Sequence, residues 1–101
     1  MEAGMTVARQ FGENLRRERK RTGLSQEDTA WLASLHRTEI GLLETVARTP
    51  RIDTLVKLAA ALGVRIDCAL LEGITWTTGS TQVGAFSLSP PPEQGAESSR
   101  G

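Results

Sequence analysis

Residues 26 to 45 constrain this chain most tightly. Two short helical patterns, "QEDTAWLA" and "RTEIGLLET", are joined by nothing more than "SLH", residues 34 to 36. So tight a link makes the two helices one unit rather than two separate elements. The first pattern opens on a strong start signal. Ser25 can cap, and Asp28 sits at the third helical position, close to a capping box. The second pattern ends near Thr45, where "TVARTP" breaks it, and Pro50 cannot sit inside a helix.

A longer helix comes before this unit. From Thr6 to about Thr22, Val7, Phe11 and Leu15 recur at a spacing of four, and Glu18, Arg19 and Thr22 continue the stripe. Its last turn carries "RRERKR", residues 16 to 21, and Gly23 suits the position after its end. A fourth helix starts near Ile52 or Asp53, with Ile52, Leu55, Leu58, Ala59 and Leu62 on one stripe and Gly63 as the stop. "RIDCALLEG", residues 65 to 73, reads as a short fifth helix with Ile66, Ala69 and Leu70 inward. Beyond Gly73 the chain turns to Thr, Ser and Gly with alternating apolar residues, which predicts two short strands about a glycine-containing turn. The Pro-rich, polar stretch 90 to 101 is expected to be disordered, and residues 1 to 5 to fray. The resulting division is a helical domain over 6–73, an extension over 74–89 that can serve as a dimerisation hairpin, and a tail.

Composition narrows the function. The 101 residues suit one small domain with a modest core. No apolar run approaches the ~20 residues of a membrane span, and Arg9 and the charged block come too early for a secretory leader. Cys68 is the sole cysteine, so no internal disulfide or thiolate metal cage is expected. It reads as a small core residue in a reducing cytoplasm. Twelve basic residues balance twelve acidic ones, and Glu93 and Glu97 lie in the tail. Any nucleic-acid binding must therefore come from a local basic face rather than from bulk charge. No Ser/His/Asp or Cys/His set and no phosphate-cradling glycine loop is present, and His36 has no metal-ligand partners. The expectation is no enzyme, no cofactor and no metal.

The third helix has two faces. At 100° per residue, Arg37, Thr38, Gly41, Leu42 and Thr45 span about 0° to 140°, and Ile40, Leu43 and Glu44 lie at about 240° to 340°. One side buries and the other is presented. A long basic helix followed by two short, closely joined ones is the outline of a helix-turn-helix. "LSQE", Ala30, "R-T-x-I-x-x-L-E" across the third helix and "P-x-I-x-T-L-x-K-L-A-x-A-L-G-V" together resemble the Cro/phage-repressor-type helix-turn-helix family, the XRE family, over residues 6 to 73.

That resemblance implies an all-α, five-helix, lambda-repressor-like domain, here with a short C-terminal extension. It also implies that the third helix enters the DNA major groove. Arg37 would fork onto guanine O6 and N7, Thr38 would meet a base edge or phosphate, and Leu42 would pack on a thymine methyl. Gly41 would leave room for the duplex, Thr45 shares the reading arc, and Glu39 is less well aimed. His36 would cap the helix or touch phosphate. Gln26 matches the family's phosphate-binding glutamine that also braces the third helix, and Ser25 with the amides beside it makes a phosphate site. Arg19 and Glu44 match a buried pair linking the first and third helices. The basic block is either a plain solvated helix end or places about half its charges near phosphate, through Arg9, Arg16 or Lys20. The chain departs from the family at Ser34 and Val46, which stand where glycines are usual. Thr29 replaces a large apolar residue, Trp31 a polar one, and 65–73 is one residue longer than usual.

The implied function is a sequence-specific DNA-binding transcriptional regulator, a repressor, binding double-stranded DNA as a homodimer in the cytoplasm, on the bacterial nucleoid, without a membrane. The fifth helix and 74–89 are the dimer candidates, because Ile74, Trp76, Val83, Phe86 and Leu88 need cover. The alternative is an antitoxin or protein-interaction module that uses the same fold to hold a protein partner.

Overall fold

The computed structural model describes residues 6–45, 48–79 and 83–89. Five helices and a two-stranded hairpin run in the order α1 (Val7–Arg21), α2 (Gln26–Ala33), α3 (Arg37–Thr45), α4 (Ile52–Leu62), α5 (Ile66–Leu70), β1 (Ile74–Thr77) and β2 (Ala85–Leu88). The expected tail 90–101, the fraying start 1–5 and the substitution at Val46 lie outside the described residues.

Local chemistry sets the ends of these helices. The Thr6 hydroxyl accepts the Arg9 amide at 3.1 Å and starts α1. At α2 the Ser25 hydroxyl accepts the Asp28 amide at 2.9 Å, and the Asp28 carboxylate accepts the Ser25 amide at 3.2 Å, completing a capping box. Hydrogen bonding to Ser25 also holds the Asp28 carboxyl below the usual carboxylate range. α2 ends at Ser34 with φ 57° and ψ 46°, the left-handed conformation that a glycine would take without strain. Ser34→Gly is therefore expected to raise stability by about 0.5–1 kcal/mol, read as an upward shift of the urea midpoint at unchanged slope. An unchanged or lower midpoint would show that the serine is not strained.

Phe11 and Leu15 of α1, Ala30 and Ala33 of α2, Ile40 and Leu43 of α3, Leu58 and Leu62 of α4 and Leu70 of α5 form the core. The alanines let α2 lie close to its neighbours. α1 and α3 also cross closely, because a Cβ on Gly12 would stand 2.5 Å from the Leu43 carbonyl oxygen. Thr29, where the family favours an apolar residue, is buried with its hydroxyl donating to the Ser25 carbonyl at 3.0 Å.

Two expected core residues lie elsewhere. Ile52 is 80 % exposed. The buried arc of α4 runs through Thr54, Leu58, Leu62 and Ala59, and Ile52 falls just past its edge beside Val56. Cys68 is exposed rather than in the core. The reason is the form of α5. Its hydrogen bonds run from Leu70 to the Arg65 carbonyl (3.4 Å) and from Leu71 to the Ile66 carbonyl (2.8 Å), a π-type pattern. A π turn takes up one residue more than an α turn, which accommodates the extra residue of 65–73 and turns Cys68 outward while Leu70 stays fully buried.

Polar side chains of α1 clasp α5 and the turn beyond it. Buried Asn14 donates to the Leu70 and Glu72 carbonyls, both at 2.9 Å. Arg17 donates to the Ala69 carbonyl at 3.2 Å and pairs with the Glu72 carboxylate at 2.8 Å. The chain then enters an antiparallel hairpin in which Ile74 faces Leu88 and Trp76 faces Phe86. The Ser89 amide closes its base on the Gly73 carbonyl at 2.8 Å.

Candidate nucleic-acid interface

α3 is held by its inner face. Ile40 and Leu43 are buried, and the Glu44 side chain is only 1 % exposed. Its carboxylate accepts from Arg19 Nε at 2.6 Å, Arg19 Nη2 at 3.0 Å and Gln26 Nε2 at 3.2 Å. Arg19 Nη1 also donates to the Leu24 carbonyl at 2.9 Å. Three helices thus meet at one carboxylate, which sets how α3 lies on α1 and α2. The Glu44 hydrogen bond, its charge second after partial desolvation, raises the pKa of the Arg19 guanidinium and keeps it charged.

The opposite face of α3 is open. Arg37, Thr38 and Thr45 are exposed, and Gly41 and Leu42 are half-buried. Arg37 and Thr38 make no side-chain hydrogen bond or ion pair among the described residues. A Cβ on Gly41 would meet only Gln26 Oε1, at 3.8 Å, so the start of α2 and the reading arc of α3 lie side by side. Arg37 joins Arg19, Ser25, Gln26 and Glu27 around a cleft of about 500 Å³. The capping box uses the Asp28 amide, which leaves the Gln26 and Glu27 amides at the helix N-terminus as donors toward this cleft. Arg19 is neutralised by Glu44, and Glu27 adds a carboxylate. The positive character of the cleft therefore rests on Arg37 and the α2 amides.

Of the residues expected at a DNA site, the cleft gathers Ser25, Gln26 and Arg37, while Thr38, Gly41, Leu42 and Thr45 continue along α3. His36 stands at the cap position of α3, where its carbonyl accepts the Glu39 amide at 2.9 Å and the Ile40 amide at 3.4 Å to open the helix, and its exposed ring makes no hydrogen bond among the described residues. Thr45 donates its hydroxyl to the Gly41 carbonyl at 2.6 Å, so toward a ligand it can only accept. The basic block also splits. Arg17 and Arg19 turn inward to Glu72 and Glu44, and Arg16, Lys20 and Arg21 stay exposed. Arg9 is exposed beside Glu13, 3.7 Å away.

Sequence reasoning missed Gly12, whose lack of a side chain lets α1 approach the end of α3. It also missed Gln10 and Asn14, polar residues that are fully buried. Their one visible signal was position, since both lie beside the Phe11–Leu15 stripe. No group of His, Cys, Asp and Glu among the described residues could hold a metal ion, and no helix there is long and apolar enough to cross a membrane.

The same arrangement is found in known proteins. Residues 10–70 match the family model described as a helix-turn-helix domain. The chain is 39% identical over 62 residues to control protein C.SmaI of Serratia marcescens, covering 61% of this chain and 74% of that protein. Among solved structures it is similar to the restriction-modification controller protein C.AhdI from Aeromonas hydrophila, at 37% identity and a TM-score of 0.57, over 59% of this chain and 91% of that one. It is also similar to C.Esp1396I bound to a 25 base pair operator site, at 26% identity and a TM-score of 0.58, over 61% of this chain and 82% of that one. With α2 and α3 joined by a left-handed Ser34, tied through Glu44 and matched over residues 10–70, the chain belongs to the helix-turn-helix family, in its Cro/phage-repressor-type branch.

Proposed function

We propose that this chain is a sequence-specific DNA-binding transcriptional regulator, a repressor, that sets α3 into the major groove of an operator as a homodimer. One observation carries the reading. The exposed head of α3, Arg37 and Thr38, stands free of internal partners among the described residues, beside the cleft at the first turn of α2. Arg37 forks onto guanine, Thr38 and Leu42 meet a base edge and a thymine methyl, and the free Gln26 and Glu27 amides beside Ser25 take a phosphate. The exposed ring of His36 reaches a phosphate as well. A relative was solved on a 25 base pair operator, long enough for two half-sites one helical turn, ~34 Å, apart. That length supports the homodimer. Bound copies block polymerase, and the protein acts in the cytoplasm on nucleoid DNA.

The test is selection of duplexes from a random pool by the purified chain, followed by titration of the winner. Arg37→Ala should weaken binding by ~1–3 kcal/mol and relax the preference at one base pair. Wild-type affinity should fall steeply as salt rises, because phosphate contacts release counterions. Unchanged affinity and specificity in Arg37→Ala would remove α3 as the reading head. A flat salt response would remove the duplex as the ligand.

A second reading adds a protein partner, as in an antitoxin or an interaction module. It draws on Trp31, which is 81 % exposed on the outer face of α2, one turn from Glu27. Trp31→Ala should then abolish capture of that partner at unchanged operator affinity.

A further inference from the structure

The hairpin lies beyond residues 10–70, the part of the chain that the family model matches. Cross-strand partners share a face of a sheet. Ile74, Trp76, Phe86 and Leu88 therefore form one wholly apolar face, and Thr75, Thr77, Ala85 and Ser87 form the other. Among the described residues the apolar face is covered only at its base. Ile74 packs against the core and Leu88 is half-buried, whereas Trp76 and Phe86 remain 55 % and 56 % exposed. The two rings are held in place nonetheless. They meet edge to face with centroids 4.9 Å apart, and the Trp76 indole lies over Gly84, where any Cβ would collide with it. Fixed aromatic rings lose little freedom on docking, which makes them good anchors of an interface.

We propose that this Trp76–Phe86 pair docks on the same pair of a second copy of this chain, an assignment that rests on the homodimer reading above. Charge favours a second copy over an unrelated partner. Residues 74 to 89 contain no Asp, Glu, Lys or Arg. A twofold axis brings the same patch against itself, so a patch carrying charge of one sign would repel its copy and this one does not. Size indicates how tightly the copies hold. Aromatic side chains bury ~150–250 Å² each. Four half-exposed rings therefore remove on the order of 400 Å² from water, well short of the ~1,200 Å² of a stable interface. The contact is accordingly weak in free solution and is filled when adjacent half-sites hold two copies together.

The full chain carrying Trp31→Phe has Trp76 as its one indole. Its mass and emission would be followed by sedimentation and fluorescence, from micromolar to millimolar protein and on the selected two-half-site duplex. The expected result is a blue shift of Trp76 that grows in step with doubling of the mass, at lower protein concentration on the duplex. Adding Phe86→Ser should abolish the shift and move dimer formation to at least tenfold higher concentration, with the helical circular dichroism and the affinity for a single half-site unchanged. Mass doubling with Trp76 emission still that of exposed indole, or with Phe86→Ser having no effect, would overturn the hairpin contact and leave the homodimer standing. A chain that stays monomeric in solution and on the duplex would overturn both. A blue shift without a change in mass would place the rings against their own domain and overturn the proposal.

Discussion

Glu44→Ala should lower the stability of the domain by about 3–5 kcal/mol, as expected when one partner of a buried pair is removed. The Glu44 side chain is 1 % exposed and that of Arg19 is 11 % exposed, so this is not a surface ion pair screened by water. Alanine would leave the Arg19 guanidinium with only its bond to the Leu24 carbonyl and would strand the Gln26 side-chain amide that donates to this carboxylate. For a domain of this size each kcal/mol moves the melting temperature by ~4–8 °C, so the effect is readily seen in a thermal scan. Glu44→Gln keeps acceptor geometry without the charge and should cost less. DNA affinity should fall in Glu44→Ala even at temperatures where the variant is folded, because α3 loses the group that fixes its angle. A stability loss below about 1 kcal/mol would mean that water replaces the carboxylate at little cost.

Asn14→Leu should cost about 2–4 kcal/mol, because each buried polar group left without a partner costs ~1–3 kcal/mol and such losses are not fully additive. Asn14 is fully buried. Besides holding the Leu70 and Glu72 carbonyls, its side-chain oxygen accepts from Gln10 Nε2 at 3.2 Å and Arg17 Nη1 at 3.4 Å. Leucine fills the volume and satisfies none of these. The damage should be local. Amide exchange should accelerate first in α5 and the hairpin, while α2 and α3 keep their protection. Equal acceleration everywhere would show that the clasp belongs to the global core rather than to the extension. The two substitutions separate two roles of α1: its last turn, through Arg19, holds the reading helix, and its middle, through Asn14, holds α5 and the turn that leads into the hairpin.

How much of this could be read from the chain differs from element to element. α2 and α3 run from Gln26 to Ala33 and from Arg37 to Thr45 as the pattern indicates, because Ser25 and Asp28 form a local cap and the SLH link leaves no other place to turn. The Arg19–Glu44 pair was legible only through resemblance, since the two residues are far apart in sequence. Ile52 misled because a periodicity of apolar residues gives the direction of a buried stripe but not its width. The end of that stripe is set by what packs against α4. Gln10 and Asn14 were invisible because a polar residue is read as exposed unless its partners are known, and the carbonyl that Asn14 holds on Leu70 is 56 residues away.

The sequence by itself determined what depends on neighbours within a turn or two: the helix starts and stops, the split of α3 into a buried and a presented face, and the alternation that makes β1 and β2 a hairpin. Only the tertiary structure decided what depends on atoms brought together from afar. It took Ser34 into the left-handed region, because α3 must cross α2 at the angle that Glu44 and Gln26 hold. It let α1 meet α3 at Gly12, widened α5 into a π turn that exposes Cys68, and covered Ile74 while leaving Trp76 and Phe86 exposed. The physical reason is range. Caps and periodicity act over a few residues of backbone, whereas burial and the satisfaction of buried polar groups are settled by which surfaces finally touch.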